Sequence, residues 1–176
     1  GAGLDISLPR GSMVVDIGGG TTDIAVLSMG KSVVSRSIKV AGNKFDEAIV
    51  RYVKKRHNLY IGDRTAEMIK ITIGSAIPRK EPILMEATGR SLLNGLPKTI
   101  QLSSAEMVIA LEECVQAIID GVRQVFDETP PELSGDIYER GIIMTGGGAL
   151  LFGLDKIIAD YTNVPVALAE DPQTCV

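Results

Sequence analysis

Short apolar runs punctuated by glycine open the chain: Met13-Val14-Val15-Asp16-Ile17 and Ile24-Ala25-Val26-Leu27 have the length and β-branched content of strands. In a third run Val34, Arg36, Ile38 and Val40 share one face and Ser35, Ser37 and Lys39 the other. That period of two fits an antiparallel sheet wetted on one side. Short spacings between the three runs predict a meander.

Helical spacing takes over at Asn43, a good N-cap, with Phe45, Ile49, Tyr52 and Val53 recurring until Lys54-Lys55-Arg56 closes the last turn, where cations suit the helix dipole. A second helix is predicted from Asp63 as N-cap, with Ala66, Ile69 and Ile73 inward and Gly74 as its stop. Short strands near 83–87 and 99–102 follow among Pro78, Pro82 and Pro97. The longest helix opens on the capping box Ser103-Ser104-Ala105-Glu106, and Val108, Leu111, Val115, Ile118, Val122 and Val125 step along it by three and four. Thr129-Pro130-Pro131-Glu132-Leu133 breaks that helix. A strand at 142–145, a helix over 150–161 with Leu154, Ile157 and Ile158 inward, and a strand near 164–168 complete the chain. This order predicts an α/β fold: a mixed sheet with flanking helices from residues 1–42 and 103–176, and a small α+β subdomain inserted at 43–102.

With 176 residues and 45% hydrophobic side chains, the chain can bury a real core. Its net charge of -4 provides no global basic field, which argues against nucleic acid or an anionic membrane as partner and favours a small molecule or a protein. Cys114 and Cys175 have no metal-ligand spacing, which points to a reducing compartment such as the cytoplasm. No apolar run approaches the ~20 residues needed to span a bilayer. The start at Gly1 without methionine and the end soon after a strand read as a segment of a longer protein.

Asp16-Ile17-Gly18-Gly19-Gly20-Thr21-Thr22-Asp23 is the most informative stretch, because it joins two strands and not a strand to a helix, unlike a dinucleotide fingerprint. Three glycines let a turn adopt positive φ and bring N–H groups to an anion, and the threonine hydroxyls add donors. Asp16 is suited to hold Mg²⁺ through its waters. The alternative is a glycine-rich hairpin turn with incidental acids. Gly146-Gly147-Gly148-Ala149-Leu150, at a strand-to-helix junction, favours an anion or polar edge, or else serves close packing alone. Both glycine loops follow strands of one predicted sheet and so could face one crevice. Glu67 and Lys70, three apart on one helix face, could bond a ribose or flank a purine, although spacing alone favours an ordinary ion pair. His57, the only histidine, follows three cations and reads as a surface residue; Cys114 reads as a small hydrophobe.

The run 14–23 and the run Ile143-Met144-Thr145-Gly146-Gly147-Gly148-Ala149-Leu150 closely resemble the second phosphate motif and the adenosine motif of the actin, heat-shock chaperone and sugar kinase superfamily. Within it the chain resembles the MreB family of bacterial actin-like proteins, through Ile61-Gly62-Asp63-Arg64-Thr65-Ala66-Glu67, Pro130-Pro131-Glu132-Leu133 and Asp136-Ile137-Tyr138-Glu139-Arg140-Gly141. The resemblance implies an actin-like, ribonuclease-H-like domain that binds ATP and Mg²⁺. Gly18, Gly19, Gly20, Thr21 and Thr22 would hold the β- and γ-phosphates, Asp16 would reach Mg²⁺ through water, Gly146 to Leu150 would hold the adenosine side, and Glu67 and Lys70 would contact the nucleoside. It places the first phosphate loop and the membrane-binding segment in the other half and the catalytic glutamate a few residues upstream of Gly1, leaving no catalytic residue here. The implied whole is a cytoplasmic, membrane-associated ATPase whose filaments guide cell-wall synthesis and cell shape together with morphogenesis proteins. A sugar kinase or chaperone-type ATPase of the same superfamily is the competing implication.

Overall fold

The computed structural model describes residues 11–169; Cys175 lies outside them. β1 (Ser12–Ile17), β2 (Thr22–Ser28) and β3 (Lys31–Ile38) form the expected antiparallel meander. Met13, Val15 and Ile17 are fully buried and stand in register with Val26, Ile24 and Thr22 of β2. One apolar face therefore runs across both strands, as the period of two requires.

A second group of elements folds beside this meander. α1 (Gly42–His57), β4 (Leu59–Tyr60), α2 (Asp63–Ile73), β5 (Leu84–Ser91) and β6 (Pro97–Ser103) follow in order, and the three strands make a separate antiparallel sheet β4-β5-β6. α3 (Ser104–Glu128), α4 (Pro131–Arg140), β7 (Ile142–Thr145), α5 (Leu154–Thr162) and β8 (Val166–Leu168) return the chain to the first sheet, whose order becomes β3-β2-β1-β7-β8. β7 lies parallel to β1 and β8 parallel to β7, so the sheet is mixed.

α3 covers the apolar face. A Cβ on its Gly121 would sit 3.1 Å from Ile24 and 3.4 Å from Ile38, so the glycine sets how closely the helix rides on β2 and β3. Leu111, Val115, Ile118, Val122 and Val125 are buried as predicted, but Met107 and not Val108 leads the stripe. α1 and α2 bury Phe45, Ile49, Val53, Ala66, Ile69 and Ile73 in the same continuous core. One cluster thus spans both sheets.

Several local readings change. α1 starts at Gly42, and Asn43 sits in its first turn, not at its cap. The helix needs no side-chain cap because Gly42 N–H donates to Gly18 O (3.0 Å) and Asn43 N–H to Gly19 O (2.8 Å), which satisfies two of its orphan donors. α2 is capped by Gly62, with Asp63 as the first helical residue. The Pro130-Pro131 break ends α3 and begins the unpredicted helix α4, with proline in its first turn where a missing N–H costs nothing. The helix expected over 150–161 is divided: residues Gly147–Leu150 form a 3-10 turn, and α5 starts after Gly153, whose φ is 78°.

His57 is not a free surface residue. Its Nε2 lies 2.7 Å from Glu106 Oε1, and Tyr52 donates its hydroxyl to the same oxygen at 3.1 Å. Glu106 Oε2 accepts from Ser103 N–H at 3.0 Å while Glu106 N–H donates to Ser103 Oγ at 3.3 Å, which is the predicted capping box. The end of α1 is thereby tied to the start of α3. Burial pushes the Glu106 carboxyl upward, but the bonds from His57, Ser103 and Tyr52 outweigh it and leave its pKa below the ordinary glutamate value. A depressed native pKa adds stability above the unfolded pKa, and that stability is lost as pH falls through the native one. Glu106→Gln should cost about 1 kcal/mol near neutral pH, as lost caps do. The gap to wild type should narrow on acidification, as thermal melts between neutral and acidic pH would measure.

Candidate functional site

Because β1 and β7 are parallel neighbours, with Asp16 beside Thr145 in register, the loops that follow them leave the sheet at the same end. A cleft of about 650 Å³ lies there. Gly18 and Gly19 line it from the first loop, Gly147, Gly148 and Leu150 from the second, Glu67, Lys70 and Ile71 from one face of α2, and Gly74 from its C-terminal cap. Asp16, Gly20, Thr21, Thr22, Gly146 and Ala149 are not among its lining residues.

In the first loop Gly18 N–H donates to Thr21 O at 3.0 Å, and the carbonyls of Gly18 and Gly19 are taken by α1. A trans peptide points N–H opposite to C=O, so the N–H groups of Gly19 and Gly20 are turned away from α1, and neither has a backbone acceptor. Successive N–H groups of this kind suit an anion. Contrary to the sequence expectation, none of the three glycines has positive φ. A Cβ on Gly20 would meet nothing within 4 Å, and one on Gly19 would lie 3.5 Å from Asn43 Oδ1. Here glycine provides open space and not a special turn. The hydroxyls are engaged elsewhere: Thr21 donates to Asp23 Oδ2 at 3.2 Å, and buried Thr22 donates to Val40 O at 2.6 Å.

The second loop divides its glycines differently. Gly146 has φ 87°, and a Cβ there would come 2.7 Å from Asp16 Oδ1 and collide with the Ile17 carbonyl. Gly148 packs on the Ile17 side chain, whereas Gly147 is exposed with nothing near it. Gly146 and Gly148 let the loop lie against β1; Gly147 opens onto the cleft. Only a 3-10 turn follows directly, so the loop offers local backbone groups and no long helix dipole.

Lys70 Nζ stands 2.9 Å from Asp46 Oδ1 of α1 and donates to Gly42 O at 3.3 Å. Its partner is Asp46, not Glu67. Burial raises the Asp46 pKa, Lys70 opposes it, and Glu67 and Asp63 add to it. Asp16 also has a raised pKa, first from burial and then from Asp23, its direct partner across β1 and β2. Its Oδ1 is buried without a hydrogen-bond partner. An orphaned carboxylate oxygen beside a second carboxylate fits a cation. Among the described residues no group of three or more His, Cys, Asp or Glu gathers, so such an ion would keep its waters and draw further ligands from a bound anion.

Sequence reasoning missed Gly42, Asn43, Asp46, Arg79 and Phe152, all of which line the cleft. The first three occupy the opening turn of α1, a helix that the sequence signals from Asn43. Arg79 and Phe152 meet only through the tertiary fold, with the guanidinium carbon 4.1 Å from the ring centroid.

The family model described as MreB/Mbl protein matches residues 1–176. The chain is 53% identical to the cell shape-determining protein Mbl of Bacillus subtilis (strain 168), over 100% of the chain and 53% of that protein. It is 49% identical to the cell shape-determining protein MreB of Escherichia coli (strain K12), over 100% of the chain and 51% of that protein. Among solved structures, MreB5 of Spiroplasma citri bound to ADP superposes with a TM-score of 0.97 at 45% identity, over 99% of the chain and 53% of that protein. The AMPPNP-bound form gives 0.96 at 45% identity with the same coverage. The MamK double helical filament shares the fold at a TM-score of 0.76 and 23% identity, over 93% of the chain and 50% of that protein. The chain thus spans about half the length of the relatives it matches.

Two contrasts test the loops. Gly19→Ala should leave stability within about 1 kcal/mol, since its backbone is ordinary and its Cβ has room, yet weaken polyanion binding about tenfold or more by obstructing charge-assisted hydrogen bonds. Gly146→Ala should cost roughly 2–4 kcal/mol through its φ and its clash with β1. Denaturant unfolding beside calorimetric titration separates the two. For Asp16, a raised native pKa means that stability is greatest at acidic pH and falls as pH rises through that pKa. Asp16→Asn should therefore raise the melting temperature of the ligand-free protein at neutral pH and reduce the extra stabilisation by Mg²⁺ with nucleotide. Paired melts with and without the ligand check both signs.

Proposed function

The chain belongs to the MreB/Mbl family, has an actin-like α/β fold, and we propose that it is the nucleotide-binding half of an ATP-regulated bacterial cytoskeletal protein. The convergence of two glycine loops and one face of α2 on a single cleft is the observation that carries this reading. It draws support from MreB5, a relative solved with ADP and with AMPPNP. In this reading residues 1–42 and 103–176 are the nucleotide-binding subdomain, and residues 43–102 are the inserted α+β subdomain that walls the nucleoside side.

The loop Gly18, Gly19, Gly20, Thr21 and Thr22 holds the β- and γ-phosphates, chiefly through backbone N–H groups, since both hydroxyls have other acceptors. Gly146 to Leu150 supports the adenosine side, with Glu67 and Lys70 facing the nucleoside. Lys70 is already compensated by Asp46, and Asp16 and Asp23 add negative charge, so a polyphosphate needs a cation. Asp16 meets that need by holding hydrated Mg²⁺. The ion would neutralise charge on the phosphates; the chain's own residues bind and position them.

Phosphoryl transfer depends on positioning from both sides of the nucleotide. Residues 1–176 supply one side, so hydrolysis belongs to the longer protein, and the isolated segment should not turn ATP over at its rate. The whole assembles into filaments that guide cell-wall synthesis and cell shape, works in the cytoplasm with morphogenesis proteins, and touches the membrane through its other half. The cell shape-determining relatives support the cell-shape role. No helix among the described residues is long and apolar enough to cross a membrane.

Sedimentation of the full-length protein tests this reading. With Mg²⁺ and ATP it should pellet, and without nucleotide or with Gly19→Val it should not. A protein that binds ATP yet stays in the supernatant under all conditions would overturn the filament assignment and move the chain to the kinase or chaperone branch of the fold.

A further inference from the structure

α2 divides the cleft into two ends. Lys70 reaches the first loop's side, because the carbonyl it bonds belongs to Gly42, whose N–H is held by Gly18 O. Gly74 lies four residues on, about 6 Å along the axis, and packs on Leu151: a Cβ there would fall 2.9 Å from the Leu151 side chain. Arg79 belongs to this second end. Its Nε donates to Ser75 Oγ at 3.0 Å, its Nη2 to Gly74 O at 3.4 Å, and its guanidinium carbon lies 4.1 Å over the Phe152 ring.

The seam beneath this stack is tightly tied. Ser75 is fully buried and bridges to Phe152, whose carbonyl accepts from Ala76 N–H at 2.8 Å. The guanidinium is therefore fixed in place before any ligand arrives, with N–H groups to spare beyond the two bonds it makes. Both Arg79 and Phe152 line the cleft, at the end away from Gly18 and Gly19.

We propose that Arg79, stacked on Phe152, is the base clamp of the cleft: a planar, cationic surface on which the nucleobase stacks or to which it presents its acceptor edge. This rests on the nucleotide reading above and extends it to a contact that favours a heteroaromatic base over a bare polyphosphate. The chemistry suits a base in two ways. Guanidinium planes stack on π systems, and their remaining N–H groups bond ring nitrogens or exocyclic oxygens. A phosphate at this end would lie away from the N–H groups of Gly19 and Gly20 and from Asp16.

The test uses the full-length protein with Arg79→Met and Phe152→Leu, titrated with ATP and ADP, and with tripolyphosphate as a baseless competitor, all with Mg²⁺. The clamp predicts that Arg79→Met weakens ATP and ADP by the same factor, about tenfold, while tripolyphosphate competes as against wild type. Phe152→Leu should weaken both nucleotides in the same direction by less. Unchanged ATP affinity in Arg79→Met would overturn the clamp, and so would an equal loss for tripolyphosphate, which would make Arg79 a phosphate ligand or a fold element. A wild-type protein that binds neither nucleotide would instead sink the nucleotide reading itself, and the clamp with it.

Discussion

The parallel pairing of β1 with β7 decides what the rest of the molecule can do. An antiparallel neighbour would send its following loop to the opposite edge of the sheet, and the two glycine loops would then never meet. Pairing Asp16 beside Thr145 instead ends both strands at one level. The connection that makes this possible is long: β2, β3, the run from α1 to β6, α3 and α4 all intervene between the two strands. Parallel pairs require such crossovers, and here the crossover also delivers α2 as the cleft's third wall.

The first glycine loop and α1 complete each other. A helix start has donors without partners, and a glycine loop has carbonyls without partners. Joining Gly18 and Gly19 to Gly42 and Asn43 satisfies both and leaves the loop's N–H groups pointing the other way. The loop is thus shaped by its neighbour and not by its own dihedral preferences, which explains why three consecutive glycines hold ordinary φ values. Their absent side chains matter for access alone.

Signals carried within a few residues were legible in the sequence, and those carried across the fold were not. The alternation of Val34, Arg36 and Ile38, the capping box at Ser103 and Glu106, and the glycine after α2 all depend on near neighbours, and each stands as read. Pro131 shows a local signal with two meanings, since the residue that ends one helix also begins the next. Of the cleft, the glycine loops could be named beforehand because composition marks them, whereas the α2 face was named through family resemblance. Asp46 with Lys70, His57 with Glu106 and Arg79 with Phe152 could not be paired, because nothing in either partner's local sequence names the other. Resemblance to a family supplied the roles that spacing left open, most of all for Glu67 and Lys70.

Among the described residues the first sheet ends on β8, three residues long, and on β3, eight residues long. A strand that long at a sheet margin is a template onto which another chain can zip, and a ladder formed in this way grows stronger with every residue added. β3 discourages it: Lys31, Ser32, Ser35 and Ser37 are exposed along it, and a register shift between Val26 and Leu27 bends its pairing. For a protein proposed to join and leave its own copies as nucleotide changes, this has a direct bearing on reversibility. Subunits brought into high local concentration keep only those bonds that the nucleotide can release, and the blunted margin withholds the kind of union that would outlast it.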